Sequence, residues 1–156
     1  MKNDYISEIY EKDKLVLHPY ENFNDRGTYN RKLITKSDNI YLYDENGNKF
    51  IDGPGGMWCN NIGHGNREIG EAIKDQIDKM DYCSPFSEST EVSAELASVL
   101  ADLSPGDLNT VFFTSDGSTA NETALRFVMF YNNILGKPNK KHIITRDKAY
   151  HGSTYL

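Results

Sequence analysis

Apolar residues along this 156-residue chain recur at two spacings, alternate positions and three- to four-residue steps, and the changes of spacing mark out its elements. Residues 5–13, "YISEIYEKD", gather Tyr5, Ile6, Ile9 and Tyr10 on one side, which predicts a short helix. "LHPYENFNDRGTYNRKL" then mixes aromatics with turn formers and reads as an irregular arm. In "NIYLYDENGNKFIDG", two β-rich runs, Ile40–Tyr43 and Lys49–Asp52, flank Asn46-Gly47, a pair that tolerates positive φ. That pattern predicts a hairpin.

From Asn66 the spacing lengthens. Ile69, Ala72, Ile73, Ile77 and Met80 form one apolar face, and Pro85 closes the segment. A second amphipathic helix is expected from about Thr90, carrying Val92, Leu96, Val99, Leu100 and Leu103 and stopping before Pro105. "NTVFFT" suits a buried strand, and a helix from about Ser118 to Ile134 should follow, ended by Gly136 and Pro138. "HIITR", residues 142–146, is a second buried-strand candidate, and "DKAYHGSTYL" leads from it toward a further helix. Strands alternating with long helices predict βαβ units and an α/β fold with a mostly parallel sheet. With only two such strands, the chain reads as the beginning of a larger α/β protein.

Composition narrows the class without changing that picture. A hydrophobic share of 38% beside 26% charged residues fits a globular chain and excludes a disordered one. A net charge of −6 gives no general attraction to nucleic acid or to an anionic membrane surface. No apolar run is long enough to span a bilayer, and the start lacks the order of a signal peptide, so a cytoplasmic location is expected. Cys59 and Cys83 are too few for a disulfide framework, and with the four histidines they make no metal-binding spacing. No metal site is expected.

Two stretches carry candidate chemistry. "GPGGMWCNNIGHGN" holds five glycines in fourteen residues around Trp58. It is either a glycine-rich connector anchored by that ring or a loop that approaches a ligand closely. In "VFFTSDGSTANETALRF" a strand-like run enters a helix through Gly117. Backbone N–H groups at such a start, with the hydroxyls of Ser118 and Thr119, suit a phosphate. The same letters also fit a plain capping box, with Thr119 as the cap and Glu122 reaching back to it. They match neither the mononucleotide phosphate loop nor the dinucleotide fingerprint. Tyr150, His151 and Gly152 follow the second strand candidate, where an aromatic ring is placed to stack on a flat ligand whose phosphate sits at Gly117 and Ser118.

The order of these motifs resembles the N-terminal part of the class III aminotransferases, the ω-amino-acid:pyruvate type of pyridoxal-phosphate-dependent enzyme. "GSTANE" opening one helix and "AYHGST" after the next strand are the specific pair, supported by "YLYDENGNKFIDGPGGMWCNNIGHGNREI". The resemblance implies a fold type I large domain, incomplete here. Residues 1–52 would form an N-terminal arm and β-hairpin belonging to the small domain, and residues 53–156 the first part of the cofactor-binding domain. It implies pyridoxal 5'-phosphate held by Gly117, Ser118, Tyr150, His151 and Gly152, with Trp58, Tyr20 and Phe86 as substrate-pocket walls. It implies a homodimer that moves an amino group from an amine or amino-acid donor to a 2-oxo-acid acceptor such as pyruvate.

Two departures stand out. Asp116 precedes Gly117 where the family usually has Ser or Asn, and Thr119 replaces a customary Glu. No lysine here sits where the family's Schiff-base lysine lies, so no catalytic residue is assigned and the 156 residues alone are expected to be inactive. Alternatives on the same scaffold are an aminomutase or a decarboxylating relative. A non-catalytic truncated product is the alternative outside enzymology.

Overall fold

A computed structural model describes residues 2–28 and 31–154, and the expected further helix at the C-terminal end lies in part outside them. The chain forms two compact units, Met1–Tyr82 and Cys83–Leu156.

The first unit opens with helix α1, Lys2–Asp13. Ile6, Ile9, Tyr10 and Asp13 are its half-buried positions, one face at helical spacing. The Tyr10 hydroxyl donates to Glu45 Oε1 at 2.9 Å and fixes that face to the sheet. The arm that follows is irregular, as expected, with a short 3₁₀ turn at Phe23–Asp25 capped by Asn22.

The sheet has three antiparallel strands in the order β1-β2-β3: β1 Ile34–Asp38, β2 Tyr41–Asp44 and β3 Lys49–Ile51. The hairpin β2–β3 pairs Tyr43 with Lys49 and Tyr41 with Ile51. Its turn differs from the expected two-residue form. Gly47 N–H bonds to Asp44 O, and Asp44 and Asn48 close the loop around Glu45, Asn46 and Gly47. Only Gly47 has positive φ (84°), so this is a three-residue loop with one left-handed position. Asp44 is buried, and its Oδ1 accepts from the amides of Asn46 and Asn48 while Oδ2 accepts from the Asn48 side chain. Those bonds, the Asn48 side chain foremost, hold its carboxyl below the usual range. Lys49 over the Tyr41 ring, at 3.5 Å to the centroid, adds a cation–π contact across the strands.

The glycine-rich loop after β3 is tied at its base. His64 and Asn39 exchange both backbone hydrogen bonds, and His64 Nε2 lies 2.9 Å from Asp52 Oδ2. Asp52 Oδ1 also accepts from Gly56 N–H. Within the loop, Gly55, Gly56, Met57 and Trp58 all have positive φ, from 55° to 68°, and form one left-handed turn closed by Trp58 N–H to Pro54 O. Left-handed geometry costs about 1–2 kcal/mol for each residue with a side chain, so Met57 and Trp58 together store about 2–4 kcal/mol. Helix α2, Arg67–Lys79, begins where expected, with Asn66 Oδ1 accepting from Ile69 N–H.

The second unit holds α3, Glu91–Leu103, capped by Thr90, and α4, Gly117–Ile134. At the end of α4, Gly136 (φ 70°) donates to Asn133 O and Lys137 to Asn132 O, the paired bonds of a glycine-terminated helix. Residues 109–114 and 142–146 do not form the expected strands. Neither joins a ladder among the described residues, so the sheet seen is antiparallel and the βαβ unit is not closed within them. A strand exists only through its neighbours, since each backbone N–H and C=O needs a partner beside it. Phe112 meets Phe127 of α4 edge-on, centroids 6.1 Å apart, and holds the first of these segments to the helix.

No hydrophobic residue among those described is buried, and Ile69, Ile73 and Ile77 of α2 and Leu96 and Val99 of α3 are all exposed. No described helix is long and apolar enough to cross a membrane, and no described cluster of side chains is arranged for a metal ion.

A β-carbon at Gly63 (φ 83°) would stand 2.9 Å from Asn39 Oδ1. Gly63→Ala should therefore loosen the loop base, read as faster hydrogen exchange at the Asn39 and His64 amides. Gly53→Ala, with open space around it and no left-handed φ, should leave those amides slow. The Asp52 carboxyl is held below its ordinary value chiefly by His64. Its contribution to the loop is thus present at and above the ordinary Asp range, about pH 4, and is lost as pH falls through the lower folded value. The Gly56 amide, which donates to Asp52 Oδ1, should report the loss as an NMR chemical-shift step on acidification below about pH 4, and Asp52→Asn should abolish that step.

Candidate functional site

The second unit brings together five of the residues singled out by sequence. Helix α4 begins at Gly117-Ser118, and the turn formed by residues 150–153 folds back onto it. The Ser153 N–H donates to Ser118 Oγ at 3.3 Å, and Ser118 Oγ lies 3.5 Å from the Tyr150 hydroxyl. Asn121, one turn further along α4, donates from Nδ2 to His151 O at 2.8 Å. His151 Nε2 is 2.5 Å from Thr145 Oγ1, which ties the turn to the segment before it.

Gly152 makes this closeness possible. Its φ is 131°, and a β-carbon there would stand 3.0 Å from both Cα and Cβ of Ser118. Only a residue without a side chain fits. Hydrogen bonding with Ser118 and then Ser153 holds the Tyr150 phenol below its ordinary pKa. Its ring remains exposed.

The helix start differs from the expected capping box. Asp116, not Thr119, is the cap: its Oδ1 accepts from Thr119 N–H at 2.9 Å, and its own N–H donates to Thr119 Oγ1 at 3.2 Å. Glu122 instead pairs with Arg126 one turn on, at 2.7 Å. The reciprocal box is therefore formed one turn earlier, with Thr in the place usually held by Glu or Gln. Bonds from the Thr119 amide first, then Ser115 and others, hold the Asp116 carboxyl below the usual range. A β-carbon on Gly117 would meet nothing within 4 Å, so there is open space beside that residue.

A cavity of about 460 Å³ lies alongside, lined by Asn121, Leu125, Ile143, Thr145 and Tyr150 among others. Gly117 and Ser118 do not line it, so it belongs to the interval between α4 and residues 143–145 rather than to the helix mouth. Trp58 and Tyr20 belong to the first unit. Trp58 rides exposed on the left-handed turn, and Tyr20 (φ 60°) is 94% exposed on the arm. Phe86, in the second unit, is 98% exposed. Sequence reasoning missed Asn121, Thr145 and Ser153. The spacing of Ser118 and Asn121, three apart on one helix face, was the available signal for the first. Thr145 and Ser153 act through contacts that only the turn creates.

Comparison with known proteins shows the family. The family model described as Aminotransferase class-III matches residues 24–156, and the chain belongs to that family. Enzymes of this family are pyridoxal-phosphate-dependent. Putrescine–pyruvate aminotransferase of Pseudomonas aeruginosa is 39% identical over 86% of this chain and 29% of its own length. The solved structure of a transaminase from the marine bacterium Virgibacillus superposes with a TM-score of 0.89 at 39% identity, over 94% of this chain and 34% of that one. The ω-transaminase of Pseudomonas jessenii in complex with PMP superposes with a TM-score of 0.87 at 37% identity, over 92% and 32%. These neighbours are fold type I enzymes, the fold class expected from the motifs. The chain spans about a third of the length of the relatives it matches.

Gly152→Ala should push the 150–153 turn off α4. The Ser153 amide, which donates to Ser118 Oγ, should then exchange at least tenfold faster, about 1.4 kcal/mol of lost protection, while the Ala120 amide inside the helix stays slow.

Proposed function

We propose that residues 53–156 are the first part of a pyridoxal 5'-phosphate site in an aminotransferase that moves an amino group from an amine or ω-amino acid to a 2-oxo acid such as pyruvate. The observation that carries the reading is the convergence of Ser118 and the Tyr150–Gly152 turn at the start of α4, made possible by the missing side chain at Gly152. The residues fit the cofactor. The Gly117 amide, with the Ser118 hydroxyl, offers donors to its phosphate at the positive end of the helix. The exposed Tyr150 ring offers a stacking face for the pyridine. Asn121 and Thr145 hold the backbone and ring of His151 and so orient that face.

Pyridoxal phosphate, when bound, supplies the electron sink needed to exchange an amino group for a carbonyl. Trp58, Tyr20 and Phe86 are proposed as walls of the substrate pocket, and their exposed apolar rings suit amine side chains better than a second charge. Residues 1–52 are proposed as the arm and hairpin of the small domain. A homodimer in the cytoplasm completes the reading, with a basis in family membership alone.

Equilibrium titration of pyridoxal phosphate tests it. Ser118→Ala and Tyr150→Ala should each weaken binding by about tenfold, the scale of a lost charge-assisted hydrogen bond or a lost stacking face, and Tyr150→Phe should retain most of it. Unchanged affinity in both alanine variants would sink the assignment. Formation of alanine from pyruvate and a panel of amines by the whole enzyme tests the reaction.

A further inference from the structure

We propose that Asp116 lowers the affinity of this cradle for phosphate, so that the chain holds the phosphate end of its cofactor less tightly than its amides and hydroxyls alone would allow. The inference rests on the cofactor reading above and concerns the charged side chain that caps the helix.

Ala120 N–H bonds to Asp116 O, and Thr119 N–H bonds to the Asp116 carboxylate at 2.9 Å. The Ser118 amide also helps stabilise that carboxylate. The Ala120 bond is the helix's own first internal one; of the three amides before it, Gly117, Ser118 and Thr119, only that of Gly117 gives nothing to Asp116. The carboxylate is anchored from its other side by Ser115, whose hydroxyl donates to Oδ2 at 3.1 Å. Its charge is compensated by amides and hydroxyls and by the helix dipole. Such an arrangement suits the helix without any ligand. It sets a fixed negative charge beside the place a phosphate dianion would take. The charge is felt across the site, since it acts on the Tyr150 phenol in the opposite sense to Ser118 and Ser153. At separations near 5 Å in a largely hydrated site, like-charge repulsion of this kind weakens binding by about three- to tenfold and falls with added salt.

Asn is as good a helix cap as Asp, so Asp116→Asn removes the charge and keeps the hydrogen bond to Thr119. Calorimetric titration of the protein and this variant with inorganic phosphate, pyridoxal phosphate and pyridoxal, at low and high salt, tests the proposal. The variant should bind inorganic phosphate and pyridoxal phosphate about three- to tenfold more tightly at low salt, with the gain shrinking at high salt and absent for pyridoxal. Asp116→Ser, neutral and also a good cap, should behave the same way and guards against a folding defect, which circular dichroism of the helices would reveal. Equal or weaker phosphate binding by both variants with helicity retained overturns the inference and leaves the cofactor reading standing. An equal gain for pyridoxal also overturns it. Failure of the parent and both variants to bind either phosphate overturns the cofactor reading itself.

Discussion

Gly152 lies so close to Ser118 that a β-carbon there would meet the serine backbone at 3.0 Å, and the described site depends on that contact. Through it the 150–153 turn reaches the first turn of α4, where the Ser153 amide finds the Ser118 hydroxyl. Through it too, Asn121 comes within reach of His151 O, and the Tyr150 ring is left exposed. Stepwise replacement of these bonds would leave neighbouring bonds in place, whereas a methyl group at residue 152 acts on all of them together. Close packing transmits a small displacement because it offers no slack to absorb it.

The first unit is organised around a comparable restriction. Asp52 and His64 stand at the two ends of the glycine-rich loop, joined by their side chains, and His64 is joined to Asn39 by two backbone bonds. The loop is therefore defined by its base, while its tip adopts a handedness that L-residues avoid. Amphipathic helices α2 and α3 carry apolar faces that the described residues leave open. Their periodicity encodes burial more fully than the packing around them expresses it.

Much of this was legible in the sequence, for reasons that differ by element. Helices α2, α3 and α4 were readable because their caps and periods are local properties, and Gly136 marks the end of α4 as only a left-handed residue can. The hairpin was readable for the same reason, although Asn46 was drawn wrongly into the left-handed position that Gly47 alone occupies. Strand β1 was not foreseen, because "ITKSD" is mostly polar and exposed and is made a strand only by pairing with β2. The opposite error befell residues 109–114 and 142–146, whose composition is that of strands but whose partners are not among the described residues. At the cap of α4, Asp116 and Thr119 are both good N-cap residues, and composition could not choose between them. Tyr150 and Ser118 were brought together by motif order, yet the hydrogen bonds that join them depend on the fold of a turn.

The left-handed turn has a consequence for how this protein can change. Replacing an aromatic residue by a small one usually sacrifices stability, because a buried ring is removed and its neighbours lose contacts. Residue 58 escapes that exchange. Its ring is exposed, and its backbone sits where a glycine is at ease and a tryptophan is not. A glycine there would shed bulk and relieve about 1–2 kcal/mol of backbone strain in one step. Variation at this position is thus open in a direction that most aromatic positions find closed, because the smaller residue is also the one the backbone favours.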